Sequence, residues 1–486
     1  MSGSAEIEWE IGLKPSSSAQ RQQIAQRVVA LAAVSPAGSL DLSADPVLAK
    51  AVHSARATVR GGAEPWSPAA AAAQRRERPG AARPAPGLTS PPRVYVHALY
   101  DEGATDEYTD GMGASDEESV AWTQTLLPAL SLDGHWESLL FDISVKHKLL
   151  SYARSALAFA SSGVDTHLVS CHRLLLLHGP PGTGKTSLCR ALSHKLLARC
   201  ADAFSAGQLI ELNAHSLFSK WFSESGKLVG AVFAKVRELL DDPRSFVAVL
   251  VDEVESLAAS RAAALNGSEP SDAVRVVNAV LTQLDSLKAY ANVLVLATSN
   301  ITAALDAAFA DRADLSVFIG LPQMRARYMI LASCVKELAR AAVVSDVCEP
   351  GEFEPLVALV PAGGLDLSAI QRLTAQQGSA TARARDAMDD EVPPAERERA
   401  AAAFRYSLML LMLAQATDGW SGRSLRRLPL LAHAEAGGEG SLAYAPFLLA
   451  MHSAVLDRDA DAANFEQRPP SCAGAQLPAN ARAERG

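Results

Sequence analysis

Leu174–Thr186 reads LLLLHGPPGTGKT: four leucines, then a turn in which Gly179, Gly184, Lys185 and Thr186 stand at the spacing G-x-x-x-x-G-K-[ST]. The leucines predict a buried strand and the spacing predicts a phosphate-binding loop. Glycines allow backbone N–H groups to turn inward onto phosphate oxygens, and the positive end of the following helix adds to their field. Gly182 and the pair Pro180-Pro181 shape the turn. Lys185 supplies a mobile cation for the β- and γ-phosphates, while the Thr186 hydroxyl can ligand Mg²⁺. A Gly/Pro turn that merely carries a lysine is the plainer alternative. Against it, Leu188, Ala191, Leu192 and Leu196 recur at helical spacing directly after the loop.

The chain has 486 residues, 49% of them hydrophobic, and exceeds what one core usually organises, so two or three domains are expected. A formal net charge of -9 argues against a general nucleic-acid coat. The six cysteines form no C-x-x-C pair, which suits reduced thiols in a cytosolic or nuclear protein. MSGSAEIEWEIGL lacks the basic and apolar regions of a secretory signal. The longest membrane-like run, Tyr406 to Ala414, is far shorter than the ~20 residues a spanning helix needs. A soluble, intracellular protein is the expectation.

Ile7, Trp9, Ile11 and Leu13 alternate with Glu6, Glu8, Glu10 and Gly12, the period of a half-buried strand. A helix through Ile24, Val28 and Leu31 follows. Residues 61–92 collapse to Ala, Pro, Arg and Gly and read as a disordered linker. RVYVHALY resumes the fold with a strand over Val94 to Leu99, and the acidic run Asp101 to Glu118 reads as an exposed loop. HWESLLFD, His135 to Asp142, leads into a helix bracing the nucleotide domain. Strand-like runs then recur at Gln208 to Leu212, Phe246 to Val251, Val293 to Thr298 and Val317 to Ile319, separated by helices, as in a parallel sheet with crossover helices. Beyond Pro322 the pattern is nearly all helical, with an Ala/Arg/Asp-rich insert at 376–403 read as disordered.

Asp252 and Glu253 stand directly after the apolar strand. There an aspartate can hold the Mg²⁺ shell and a glutamate can polarise the attacking water, although a surface acidic pair is common. Asn300 ends VLVLATSN, where a neutral amide can orient that water or simply cap a helix. Arg312 in FADRADL can act in trans as a finger or pair with Asp311 and Asp314. Arg423 in GWSGRSLRRLP can reach the nucleotide in cis or make a surface salt bridge, with Arg426 and Arg427 as weaker rivals. Lys220, Trp221 and Phe222 lie in a Ser/Gly-rich stretch, where exposed aromatics can grip a polypeptide or pack on a helix.

LLLLHGPPGTGKTSLCRAL, QLIELNAHSLFSKWFSESGKLV, VDEVESLAASR, EPSDAVRVVNAVLTQLD, VLATSNIT with DRADL, and SGRSLRRLPLLAH together resemble the AAA+ ATPases of the pachytene checkpoint protein 2 family, over about Trp122 to His433. The resemblance implies an α/β AAA+ P-loop ATPase with a C-terminal helical lid and a small α+β N-terminal substrate-recognition domain. The corresponding boundaries are 1–121, 122–321 and 322–465, with a disordered tail at 466–486. It implies a homo-hexamer that hydrolyses ATP with Mg²⁺ between subunits. The phosphate loop, Gly179 to Thr186 including Thr183, binds ATP; Asp252 is the Mg²⁺ ligand and Glu253 the catalytic glutamate. Asn300 is sensor 1, Arg312 the intersubunit finger, Arg423 sensor 2, and Lys220, Trp221 and Phe222 the pore loop. The implied substrates are HORMA-domain proteins, some presented by a comet-type adaptor, in meiotic recombination control and spindle checkpoint silencing. The implied location is nucleus and cytoplasm, with chromosome association through substrates and no membrane. Asp311-Arg312-Ala313-Asp314 departs from the two-arginine R-x-x-R-F-D pattern of many relatives. A nucleic-acid motor or clamp loader on the same fold, and a non-hydrolysing scaffold, are the alternatives.

Overall fold

The computed structural model describes residues 6–17, 19–34, 40–60, 93–108, 120–165, 168–213, 225–256, 272–300, 307–361, 364–385, 393–438 and 440–466. The chain divides into two compact units, Met1–Gly320 and Leu321–Gly486. The expected linker at 61–92 and most of the expected tail lie outside the described residues.

The first unit opens with a three-stranded sheet in the order β2-β1-β3. Strand β1 (Glu6–Leu13) runs antiparallel to β2 (Val52–Arg60) and parallel to β3 (Arg93–Ala98). Trp9, Ile11 and Leu13 of β1 pack against Ile24 and Val28 of the helix Arg21–Val34, as the alternation predicts. The other face differs from the half-buried reading. Glu8 and Glu10 are 1% and 4% exposed, because this face carries a buried ion network rather than water.

The second sheet has seven strands in the order β10-β6-β9-β8-β7-β5-β4. Here β4 is Thr105–Tyr108, β5 Val120–Leu127, β6 Leu174–His178, β7 Ala206–Asn213, β8 Ser245–Asp252, β9 Val293–Ser299 and β10 Leu315–Phe318. The five strands from β10 to β7 are parallel, and β5 and β4 add antiparallel at one edge. The acidic run read as a loop therefore contains a strand, and the sheet begins before residue 121. Strands β8 and β9 are apolar on both faces because both faces are covered. Val247, Val249 and Val251 pack with the helices Ser225–Leu240 and Asp272–Ser286; Phe246, Ala248 and Leu250 pack with the helix Lys185–Arg199.

The second unit is mainly helical, with one short parallel pair, β11 (Val344–Ser345) and β12 (Leu442–Ala443). The helix Pro394–Ala416 buries Leu408, Leu410, Leu411 and Leu413 completely, so the membrane-like run is part of the core of this unit. Among the described residues no helix is long and apolar enough to cross a membrane. The helix Leu367–Arg385 and the start of Pro394–Ala416 occupy most of the stretch read as a disordered insert, and residues 386–392 lie outside the described ones.

Candidate active site

Strand β6 ends at His178 and the chain turns at once, with Gly179 at φ +144°. The turn is closed on both sides by neighbouring strands. The Gly179 amide donates to Ser299 O (3.2 Å) at the end of β9, and the Ile319 amide donates to His178 O (2.8 Å) after β10. A Cβ on Gly179 would lie 2.2 Å from Ile319 O, so only glycine fits. Gly184, at φ +91°, caps the helix Lys185–Arg199; the Phe141 ring and the Leu139 side chain come within 3.3 and 3.9 Å of the place its Cβ would take. The segment HWESLLFD thus closes over the loop.

Lys185 is 5% exposed, and its ammonium donates to Gly179 O (2.9 Å) and Pro180 O (2.8 Å), which holds the cation inside the loop. Thr183 Oγ1 donates to Pro180 O at 3.0 Å. Beside the loop, Thr186 Oγ1 donates to Asp252 Oδ1 (3.0 Å) and Oδ2 (3.2 Å). A hydroxyl and a carboxylate thus converge where the loop meets the end of β8, a set of hard oxygen donors that fits Mg²⁺.

Glu253 follows in the left-handed region, φ +58°, sparsely populated for non-glycine residues. Thr298 secures that conformation: its Oγ1 donates to Asp252 Oδ1 and accepts the Glu253 amide (3.3 Å), while its carbonyl accepts the Val254 amide (3.0 Å). Strain kept in place by a neighbouring strand is common where an acid must point in a set direction. The Asn300 backbone N–H donates to Glu255 Oε1 at 3.1 Å, tying the end of β9 to the residues after β8.

Thr298 and Glu255 were not singled out from the sequence. For Thr298 the available signal was a hydroxyl near the end of the otherwise apolar VLVLATS. His178 was missed too; burial and the nearby Lys185 lower its pKa, so the ring at the loop's entrance is neutral.

The structure brings together Gly179 to Thr186, Asp252, Glu253 and Asn300 around the ends of β6, β8 and β9. Arg312 lies before β10, where Asp285 grips it through Nη2–Oδ2 (2.9 Å) and Nε (3.2 Å to each oxygen). Asp285 takes the place of Asp311 and Asp314, the partners of the alternative ion-pair reading, since Asp314 accepts from Tyr152 Oη (2.7 Å) and the His172 backbone N–H (3.1 Å). Arg423, exposed, stands in the second residue of the helix Gly422–Glu435 in the other unit. Lys220, Trp221 and Phe222 lie outside the described residues.

A parallel sheet with a phosphate loop at the carboxyl end of one strand and an acidic pair at the end of another defines a P-loop ATPase of the AAA class. The model of the ATPase family associated with various cellular activities matches residues 175–321. The model of the TRIP13-like AAA+ ATPase lid C-terminal domain matches residues 323–459. The chain is 45% identical over 345 residues to the pachytene checkpoint protein 2 homolog of Arabidopsis thaliana, covering 71% of this chain and 67% of that one. It is 42% identical over 375 residues to the homolog of Gallus gallus, covering 77% and 76%. The solved structure of C. elegans PCH-2 aligns with a TM-score of 0.66 at 28% identity, over 94% of this chain and 99% of that one. The chain belongs to the pachytene checkpoint protein 2 family, and it is an ATPase.

Proposed function

We propose that the protein is a hexameric, ATP-driven remodeller of HORMA-domain proteins, using the hydrolytic site of one subunit and an arginine of the next. The observation that supports this reading is Thr186 bonded to Asp252 beside the phosphate loop, with Glu253 held by Thr298, in a chain whose lid matches the TRIP13-like kind. A scaffold that only bound nucleotide would have no use for a glutamate held by Thr298 in the left-handed region.

In this reading Lys185 and the loop amides bind the β- and γ-phosphates, and Thr186 and Asp252 hold Mg²⁺. The ion supplies charge neutralisation to the phosphates when bound. Glu253 polarises the attacking water and Asn300 orients it. Arg312 reaches the nucleotide of the neighbouring subunit, and Arg423 reaches the nucleotide of its own. Trp221 and Phe222 grip the substrate chain, with Lys220 beside them. The processes proposed are meiotic recombination control and spindle checkpoint silencing, in nucleus and cytoplasm, with a comet-type adaptor presenting some substrates and chromosome association through those substrates.

Trp221→Ala separates the motor from its grip. Basal ATPase should stay within about twofold of wild type, the size of a change remote from the reacting atoms, while conversion of a closed HORMA-domain protein is lost. Unimpaired conversion by that variant would remove the pore-loop role.

A further inference from the structure

The grip of Asp285 on Arg312 has no part in the reaction as described so far. Asp285 is the penultimate residue of the helix Asp272–Ser286, and it also takes an ion pair from Lys288 at 2.8 Å. The turn after it is unusually well held. Arg173, 2% exposed and at φ +56°, donates through Nη2 to Lys288 O (2.9 Å), Tyr290 O (2.7 Å) and Leu287 O (3.3 Å). Arg173 is the residue before β6, the strand that carries the phosphate loop.

The backbone beside Arg312 is fixed to the same place. Asp314, two residues on, accepts from the His172 amide (3.1 Å), His172 Nδ1 (3.2 Å) and Tyr152 Oη (2.7 Å), and its own amide donates to Leu174 O (3.0 Å). Two supports of Arg312, the carboxylate on its side chain and the anchor two residues along its backbone, are therefore referenced to residues 172–174 of its own subunit. Partial burial pushes the Asp285 carboxyl upward, but hydrogen bonds from Arg312 and Lys288 outweigh it and keep the group ionised.

Two roles are open to such a pair, sequestration and orientation, and magnitude decides between them. The Arg312 and Asp285 side chains are 29% and 34% exposed. An exposed ion pair shifts a conformational equilibrium by no more than about fivefold. A finger contact to transferring phosphate is worth roughly 10³ to 10⁵ in rate. The carboxylate is too weak a partner to withhold the finger from a neighbour's nucleotide, yet a contact through both Nε and Nη2 is enough to fix the plane of the guanidinium. Lys288 keeps the carboxylate paired when Arg312 swings away.

We propose that Asp285, locked in place by Arg173, is the positioning residue for the Arg312 finger, holding it in the orientation from which it engages the next subunit's nucleotide. This rests on Arg312 acting in trans. The same contacts connect the finger a subunit donates to the strand bearing its own phosphate loop.

The test compares wild type, Asp285→Asn, Arg312→Ala and the double variant, as full chains under assembling conditions, reading kcat, the KM for ATP and the melting temperature. Arg312→Ala should lower kcat by about 10³-fold or more. Asp285→Asn should lower it by up to about fivefold, the most that such an ion pair shifts an equilibrium between orientations, with KM nearly unchanged. The double variant should be no slower than Arg312→Ala alone. Mixing Asp285→Asn with Glu253→Gln subunits adds a readout that a structural defect does not move. Asp285→Asn sites served by a Glu253→Gln neighbour receive an intact finger, so the mixture should exceed the summed rates of its parts. Normal kcat for Arg312→Ala would sink the finger reading itself. A crippled Arg312→Ala beside a fully active Asp285→Asn, or a slow Asp285→Asn that mixing does not restore, would overturn the positioning role alone.

Discussion

Gly179 and Glu253 both adopt positive φ, one because nothing larger fits and the other because Thr298 and Asp252 hold it there. The first makes a clear prediction. Gly179→Ala puts a methyl group 2.2 Å from the Ile319 carbonyl oxygen, in backbone held by Ser299 and Ile319 on either side, so the turn must open. Nucleotide affinity, read by titration with a fluorescent ATP analogue, should fall at least tenfold while the rest of the fold remains. Glu253→Gln has the opposite profile: it keeps the side chain's shape but loses the carboxylate proposed as the base. It should bind ATP as wild type does and lose roughly 10² to 10⁴ in turnover in a coupled ATPase assay. The loop and the acidic pair were legible in the sequence because motif spacing encodes local backbone geometry. Thr298 was not, because its role depends on β9 lying beside β8, a relation across 46 residues that no local pattern records.

Strand β1 shows the same limit for a whole element. Its alternation was readable, and Trp9, Ile11 and Leu13 do face the core. That Glu8 and Glu10 are buried was not, since their partners Lys195 and Arg199 sit some 185 residues away on the helix that starts at the phosphate loop. Next to this network lie His97 of β3 and His194, both nearly buried, with ring centroids 6.0 Å apart. Burial is the main cause that lowers both to about 4, helped by Lys195 and, at His97, by His194; it outweighs Glu10 and Asp133, and at His194 also Glu137, which push the other way. The unfolded chain, with ordinary histidines near 6.5, binds more protons than the native one between about pH 4 and 6.5. Stability therefore falls as pH drops through that window, by up to about 3 kcal/mol per histidine. Urea midpoints measured from pH 7.5 to 4.5 should show the decline, and His194→Gln should flatten it. An equally steep decline in that variant would assign the acid sensitivity elsewhere.

At the scale of the whole molecule, the helical character of the second unit was plain from composition, but the stretch 376–403 was misjudged. Its Ala, Arg and Glu content resembles a disordered segment, yet these are strong helix formers, and the structure continues helices into it from both ends. The antiparallel edge of the ATPase sheet was hidden for the converse reason: TDEY of β4 is short and acidic, and nothing in it signals a strand except the partner it adds to. The catalytic unit was legible because its function needs particular residues at particular spacings, whereas the surfaces that select a substrate carry no such grammar. The proposed action on HORMA-domain proteins must therefore be tested with a substrate. The most direct measurement mixes the purified full chain, ATP and a closed HORMA-domain protein, and follows conformer conversion by NMR or ion exchange. The account predicts conversion that requires ATP and is absent with Glu253→Gln. Brisk ATP hydrolysis with the substrate left in its closed form, or conversion that proceeds equally well with Glu253→Gln, would contradict it.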